Sequence, residues 1–104
     1  MKNYLKYLGL ARKAGKTVIG QKTLLDRLKH KPRSIGVILI AADISENTGK
    51  KLQFAASSAG VPCFSAGMTE ELSAAIGMNG IGIVGVTEPN LAIAICNELS
   101  REQA

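Results

Sequence analysis

Residues 34–51 read SIGVILIAADISENTGKK, and the reading of this stretch decides the fold. Val37 to Ala42 is an unbroken apolar run with a β-branched core. Nothing in it alternates, so it predicts a strand buried on both faces. Asp43 ends the run, and Ser45, Asn47 and Thr48 follow, all residue types that cap helices. A helical period then opens with Lys50, Lys51, Leu52 and Ala55. A buried strand that ends in a polar turn and starts a helix is where α/β domains place their sites. Free N–H groups and the positive end of the helix dipole gather there. With Lys50 and Lys51 in the first turns, the arrangement favours an anion such as phosphate.

Upstream, residues 3–14 carry Tyr4, Leu5, Leu8 and Ala11 at helical spacing, with Lys2, Lys6 and Lys13 on another face. Gly15 suits the stop of that helix. Residues 17–19 leave room only for a short strand, which Gly20 breaks. Residues 21–30 predict a second helix with Leu24, Leu25 and Leu28 inward, closed by Lys31, Pro32 and Arg33. Downstream, a third helix is expected over about 47–59, with Leu52, Ala55, Ala56 and Ala59 facing a sheet and Gly60 as terminator. Residues 61–65 read as a strand, and Pro62 marks it as an edge or a beginning. Thr69 is expected to cap a short helix reaching Ile76. Residues 81–86 read as the last strand, its glycines at 80, 82 and 85 implying close packing. Thr87 is expected to cap a final helix, with Pro89 in its first turn and Leu91, Ile95 and Leu99 inward. The alternation of helices and strands predicts an α/β fold with helices on both faces of the sheet. A chain of 104 residues predicts a single domain, 1–104, with no linker or repeat.

Charge is unevenly placed. Residues 1–51 hold twelve Lys/Arg against Asp26, Asp43 and Glu46, a balance of +9; residues 52–104 hold Arg101 against five Glu, a balance of −4. A basic surface on one part of a domain points to polyanions. The only aromatic residues are Tyr4, Tyr7, Phe54 and Phe64, which disfavours a single-strand mode built on base stacking.

Several chemistries are excluded. Gly9 to Thr17, GLARKAGKT, imitates a phosphate loop but has Ala14 where glycine is required, and it lies on a helix. ENTGKK at 46–51 lacks both the first glycine and the final hydroxyl. Asp43 at a strand end imitates a receiver-domain aspartate, but nothing acidic precedes Asp26 to help hold magnesium. Ordering of its own loop through backbone N–H groups is the simpler role for Asp43. His30 stands alone; Cys63 and Cys96 have no metal-ligand spacing and are expected to be buried. Glu70 and Glu71 diverge by about 100° on a helix, so they form no acid–base pair and instead complement a helix start. No catalytic residue, metal or cofactor is expected. No signal peptide or spanning segment is present, which predicts a cytoplasmic protein with no membrane partner. Ile19-Gly20-Gln21-Lys22-Thr23 is a glycine turn opening a helix, with polar groups placed to meet a nucleic-acid backbone or base edge.

These pieces together resemble the kink-turn-binding ribosomal proteins of the seven-Ae and thirty-e type, in their small bacterial branch. The resemblance rests on LGLARKAG at 8–15, IGQK at 19–22, AADISENTGKK at 41–51, VP at 61–62 and LSAAIG at 72–77, in that order and spacing. It implies a three-layer α-β-α sandwich with a four-stranded mixed sheet. It implies a non-enzymatic protein that binds structured RNA, with a kink-turn or ribosomal RNA as candidates and no DNA expected. Gly20, Gln21, Lys22 and Thr23 would meet the RNA, with the loop at Ala66, Gly67, Met68 and Thr69 as a second contact. Asp43, Lys50 and Lys51 complete the expected RNA-binding set. The chain differs from kink-turn binders at Thr23, Asp26, Met68 and Thr69. Asp26, Met68 and Thr69 motivate a rival reading, a ribosome-associated or protein–protein assembly factor with the same fold and weak RNA affinity.

Overall fold

The computed structural model describes residues 2–102; residues 1, 103 and 104 of the expected 1–104 domain lie outside the described residues. The order is α1 (Asn3–Lys13), β1 (Thr17–Ile19), α2 (Gln21–His30), a 3-10 turn (Pro32–Ser34), β2 (Val37–Ile40), α3 (Glu46–Ala59), β3 (Cys63–Ser65), α4 (Thr69–Ala75), β4 (Ile83–Val86) and α5 (Pro89–Glu102). The four strands form one mixed sheet in the order β1-β4-β2-β3. β4 is antiparallel to both β1 and β2, while β2 and β3 are parallel.

The apolar run at the centre behaves as its composition demands. Val37, Ile38, Leu39 and Ile40 are all buried. Successive side chains on a strand point to opposite faces, so Val37 and Leu39 join one core and Ile38 and Ile40 the other. The first core gathers Leu8 of α1, Leu72 of α4, and Ile95 and Leu99 of α5. The second gathers Leu24 and Leu28 of α2 with Leu52 and Ala56 of α3. Helices therefore cover both faces, giving the three layers. Burying a leucine of this kind contributes about 1.5–3 kcal/mol.

Bare backbone lets the layers close. A Cβ at Gly85 would lie 2.7 Å from Leu24 Cδ2, and one at Gly36 would lie 2.4 Å from Ala92 Cβ. The proline expectation holds, since β3 is an edge strand that starts one residue after Pro62.

Element ends depart from the sequence reading for identifiable reasons. β2 stops at Ile40 because its partner β4 begins at Ile83, and beyond that pair the amides of Ala41 and Ala42 turn to Gly82 and Gly67 carbonyls. β4 starts at Ile83 rather than at 81. The Ile81 amide donates to Ser73 Oγ at 2.8 Å, and Ser73 Oγ donates back to the Ile81 carbonyl at 2.9 Å. Thr69 is not the cap of α4: Met68 holds that position, and its amide donates to Glu71 Oε1. Thr87 does not cap α5 either. Its amide donates to the Lys16 carbonyl, and the Glu88 carboxylate receives the Leu91 amide at 2.6 Å. Leu25 and both cysteines are half-buried rather than fully inward.

Candidate functional site

β1, β2 and β3 all run toward one end of the sheet, and β4 begins there. Each of the first three strands passes almost at once into a helix: β1 into α2, β2 into α3, β3 into α4. Three helix starts consequently line one rim. Backbone hydrogen bonds cross it in a row. The Gly20 amide donates to the Ile83 carbonyl, Ala41 to Gly82, and Ala42 to Gly67. Gly20 and Gly67 sit three strand spacings apart, about 14 Å at about 4.8 Å each.

The three starts are not equivalent. At α3, Ser45 Oγ accepts from the Thr48 amide at 3.3 Å, and Glu46 lies in the first turn. At α4, Glu70 and Glu71 occupy the first turn, and Asp43 Oδ1 accepts from both the amide and the hydroxyl of Thr69, each at 2.8 Å. Those two bonds hold the Asp43 carboxyl below its usual range, the backbone amide being the larger cause. At α2 the flanking residue is Gly20, with φ 97°, no side-chain cap and no acid in the first turn. That backbone angle belongs to the region glycine adopts without strain. The first N–H groups of α2 are thus left without a side-chain acceptor at the positive end of the dipole.

The expected contacts fall into separate groups. Gln21, Lys22 and Thr23 form the first turn of α2, with Gln21 half-buried and Lys22 and Thr23 exposed. Asp26, one turn on, pairs with His30 at 3.5 Å. Asp43, Gly67, Met68 and Thr69 cluster at the other end of the rim, where Met68 is exposed and Asp43 and Thr69 hold each other. Asp43 therefore does more than order its own loop; it ties the β2–α3 turn to α4. Lys50 pairs with Glu46 at 2.9 Å and lines a cleft of about 290 Å³ together with Ala42 and Ser65. Lys51 is exposed and makes no ion pair among the described residues.

One part of the rim escaped the sequence reading. Met78, Asn79 and Gly80 border a cleft of about 590 Å³ with Asp43 and Thr69. Gly77 signalled only that α4 had ended, and nothing local indicated where the next residues would lie. Among the described residues no three His, Cys, Asp or Glu side chains group to hold a metal. No helix is long and apolar enough to cross a membrane. Burial pushes the Cys63 thiol up to about 11.

A sequence model of the ribosomal protein L7Ae/L30e/S12e/Gadd45 family matches residues 2–95. The chain belongs to that family. Over 73 residues it is 33% identical to the RNA-binding protein YlxQ of Enterococcus faecium, covering 70% of this chain and 69% of that one. A solved structure of a protein with unknown function from Bacillus halodurans superposes with a TM-score of 0.90 at 21% identity, over 96% of this chain and 99% of the other. The Giardia lamblia 15.5kD RNA binding protein superposes with a TM-score of 0.78 at 16% identity, over 93% and 84%. At those identities the two structures establish the L7Ae-type fold, with its four-stranded mixed sheet between helices.

Proposed function

We propose that this protein binds structured RNA, without catalysing a reaction, through the rim and chiefly through the start of α2. The observation that carries this is the asymmetry of the three helix starts. Acids of the chain occupy those of α3 and α4, whereas α2 presents a bare glycine turn followed by the exposed Lys22 and Thr23. A cation at Lys22 opposes the helix dipole, so it does not serve the helix, and a phosphate or base acceptor nearby would satisfy both it and the free amides. The names of YlxQ and of the Giardia protein, both RNA-binding, support the same reading. Within structured RNA we favour an irregular, sharply bent element such as a kink-turn, ribosomal RNA included, over a plain duplex. Such RNA is recognised by shape and by unpaired or irregular bases. Gly20, Gln21, Lys22 and Thr23 form the primary contact; Gly67, Met68, Thr69, Lys50 and Lys51 flank it, and Asp43 positions the flank. We place this function in the cytoplasm.

Mobility shifts with a kink-turn RNA, a straight RNA duplex and a DNA duplex test the proposal. Wild type should prefer the kink-turn, and log affinity should fall steeply with log salt. Lys22→Ala should weaken binding by about 1–3 kcal/mol if the lysine reads a base, with unfolding at or slightly above the wild-type midpoint. Asp26→Lys should strengthen kink-turn binding in particular. If Lys22→Ala binds as wild type does and Asp26→Lys gains nothing on the kink-turn over the duplex, the RNA face is not at α2.

A further inference from the structure

On the face of the sheet that α1, α4 and α5 cover, α1 and α4 frame an open groove of about 630 Å³. α1 starts beside the rim, where a Cβ on Gly67 would lie 2.8 Å from Tyr4 Oη, and runs away from it. Its eleven residues span about 16 Å. Near its far end α1 comes close to α4: a Cβ on Gly9 would lie 3.0 Å from the Ala75 carbonyl oxygen. The groove opens beside that contact, and Leu10 lines it while remaining 51% exposed.

Lys6, Gly9, Leu10 and Lys13 stand at i, i+3, i+4 and i+7, so they form one stripe along α1. Arg12 joins the same groove wall. None of Lys6, Arg12 and Lys13 makes an ion pair or side-chain hydrogen bond among the described residues. Elsewhere on this surface cations do pair when carboxylates are near, as Lys2 does with Glu102 at 2.7 Å. Arg12 and Lys13 also complement the C-terminal end of the α1 dipole. That role accounts for neither Lys6, in the middle of the helix, nor the exposed Leu10.

We infer that this groove docks an acidic amphipathic helix of a partner protein. An apolar floor with three unpaired cations on its wall fits a helix that offers apolar anchors along one face and carboxylates beside them. Phosphate alone would leave Leu10 without a partner, which favours a peptide over RNA here. A second copy of this chain supplies a poor complement. Its α5 exposes Ile93, but Glu98 and Glu102 point about 140° and 180° away from it on that helix and are bound to Arg101 and Lys2 of their own chain. Because α1 and α4 cover one face of the sheet and α2 the other, a partner held here leaves the start of α2 open.

The test uses the full chain and a labelled helical peptide with leucines along one face and glutamates flanking them. Fluorescence anisotropy should show saturable binding, and a scrambled peptide of the same composition should bind roughly tenfold or more weakly. Leu10→Ser should weaken the amphipathic peptide by a similar factor while leaving the melting midpoint and RNA binding near wild type. The double reversal Lys6→Glu/Lys13→Glu should lose the glutamate peptide and gain one with lysine flanks. Equal binding of the scrambled peptide, or no effect of Leu10→Ser, overturns the proposal. So does displacement of the peptide by RNA, which would assign the stripe to nucleic acid. Dissociation of a wild-type dimer by Leu10→Ser would assign the groove to self-association instead.

Discussion

Adding one methyl group at two glycines of this chain should move stability in opposite directions. Gly82 is buried between the β2–α3 turn and α4; its added Cβ would lie 2.5 Å from Ile44 Cδ1 and 2.7 Å from Thr69 Oγ1. The end of Ile44 can rotate away. Thr69 Oγ1 cannot move freely, because Asp43 holds both the hydroxyl and the amide of Thr69. Overpacking of this kind costs about 1–3 kcal/mol. The stiffer unfolded chain returns about 0.4–1 kcal/mol, so Gly82→Ala should destabilise by on the order of 1–2 kcal/mol. Gly49 lies inside α3 with nothing within 4 Å of its added Cβ. There alanine removes the helix penalty of glycine and should stabilise by about 0.5–1 kcal/mol. In a domain of this size, 1 kcal/mol shifts the melting midpoint by about 4–8 °C, so circular dichroism resolves both changes. Shifts of the same sign, or a Gly82→Ala midpoint at or above wild type, would refute the packing described at the rim.

Leu39→Ala, at a fully buried site in the central strand, should cost about 2–5 kcal/mol in urea unfolding; an unmoved midpoint would contradict the burial of that strand. The depressed carboxyl of Asp43 contributes anchoring that is present above its unfolded pKa, about 3.9, and lost as pH falls through the lower folded value. The Thr69 amide resonance should therefore titrate on the acid side in wild type and not in Asp43→Asn, and an identical profile in both would remove Asp43 from that role. With its thiol raised to about 11 by burial, Cys63 should react at pH 8 about two orders of magnitude more slowly than a free cysteine. Labelling should accelerate as pH rises; rapid modification at pH 8 in the folded protein would show the side chain is not shielded.

What the sequence disclosed follows from the range of the forces involved. Val37 to Ile40 were readable as a doubly buried strand because burial on both faces leaves an unalternating apolar run. The glycine at 20 was readable because a strand breaks and a helix begins on either side of it. A cap near residue 45 was readable because its acceptor role is local, although Ser45, Asn47 and Thr48 all qualified and the structure gives the role to Ser45. Errors fell where a side chain reaches across the fold. The ladder loses Ile81 to Ser73, eight residues earlier, and Thr69 bonds Asp43, 26 residues earlier. No periodicity encodes either. Gly82 and Gly85 announced close approach but not their neighbours, Ile44 and Leu24, which only the packed layers define. The start of α2 was legible as a glycine-turn motif; that it differs from the other two helix starts was not, because Asp43 caps α4 from a distant turn. The groove between α1 and α4 was invisible, since Leu10 falls outside the apolar stripe that defined α1.

The topology explains why recognition is assigned to α2 rather than to the more polar stretch that follows the central strand. Strand-to-helix passages repeat three times, so the rim collects three positive helix ends. At α3 and α4 the chain answers them with Ser45, Glu46, Asp43, Glu70 and Glu71. These groups strengthen the fold, and they also place negative charge where a phosphate would otherwise sit. At α2 the same stabilisation is absent. A Ser or Asp cap is worth about 1 kcal/mol over alanine, and glycine recovers most of that only by leaving the amides open to solvent or ligand. The φ of 97° at Gly20 disfavours the residues that would cap best. The turn that admits no side-chain cap leaves its donors free for an acceptor from outside, and on the proposed reading Lys22 beside it sets the sign of that acceptor as negative.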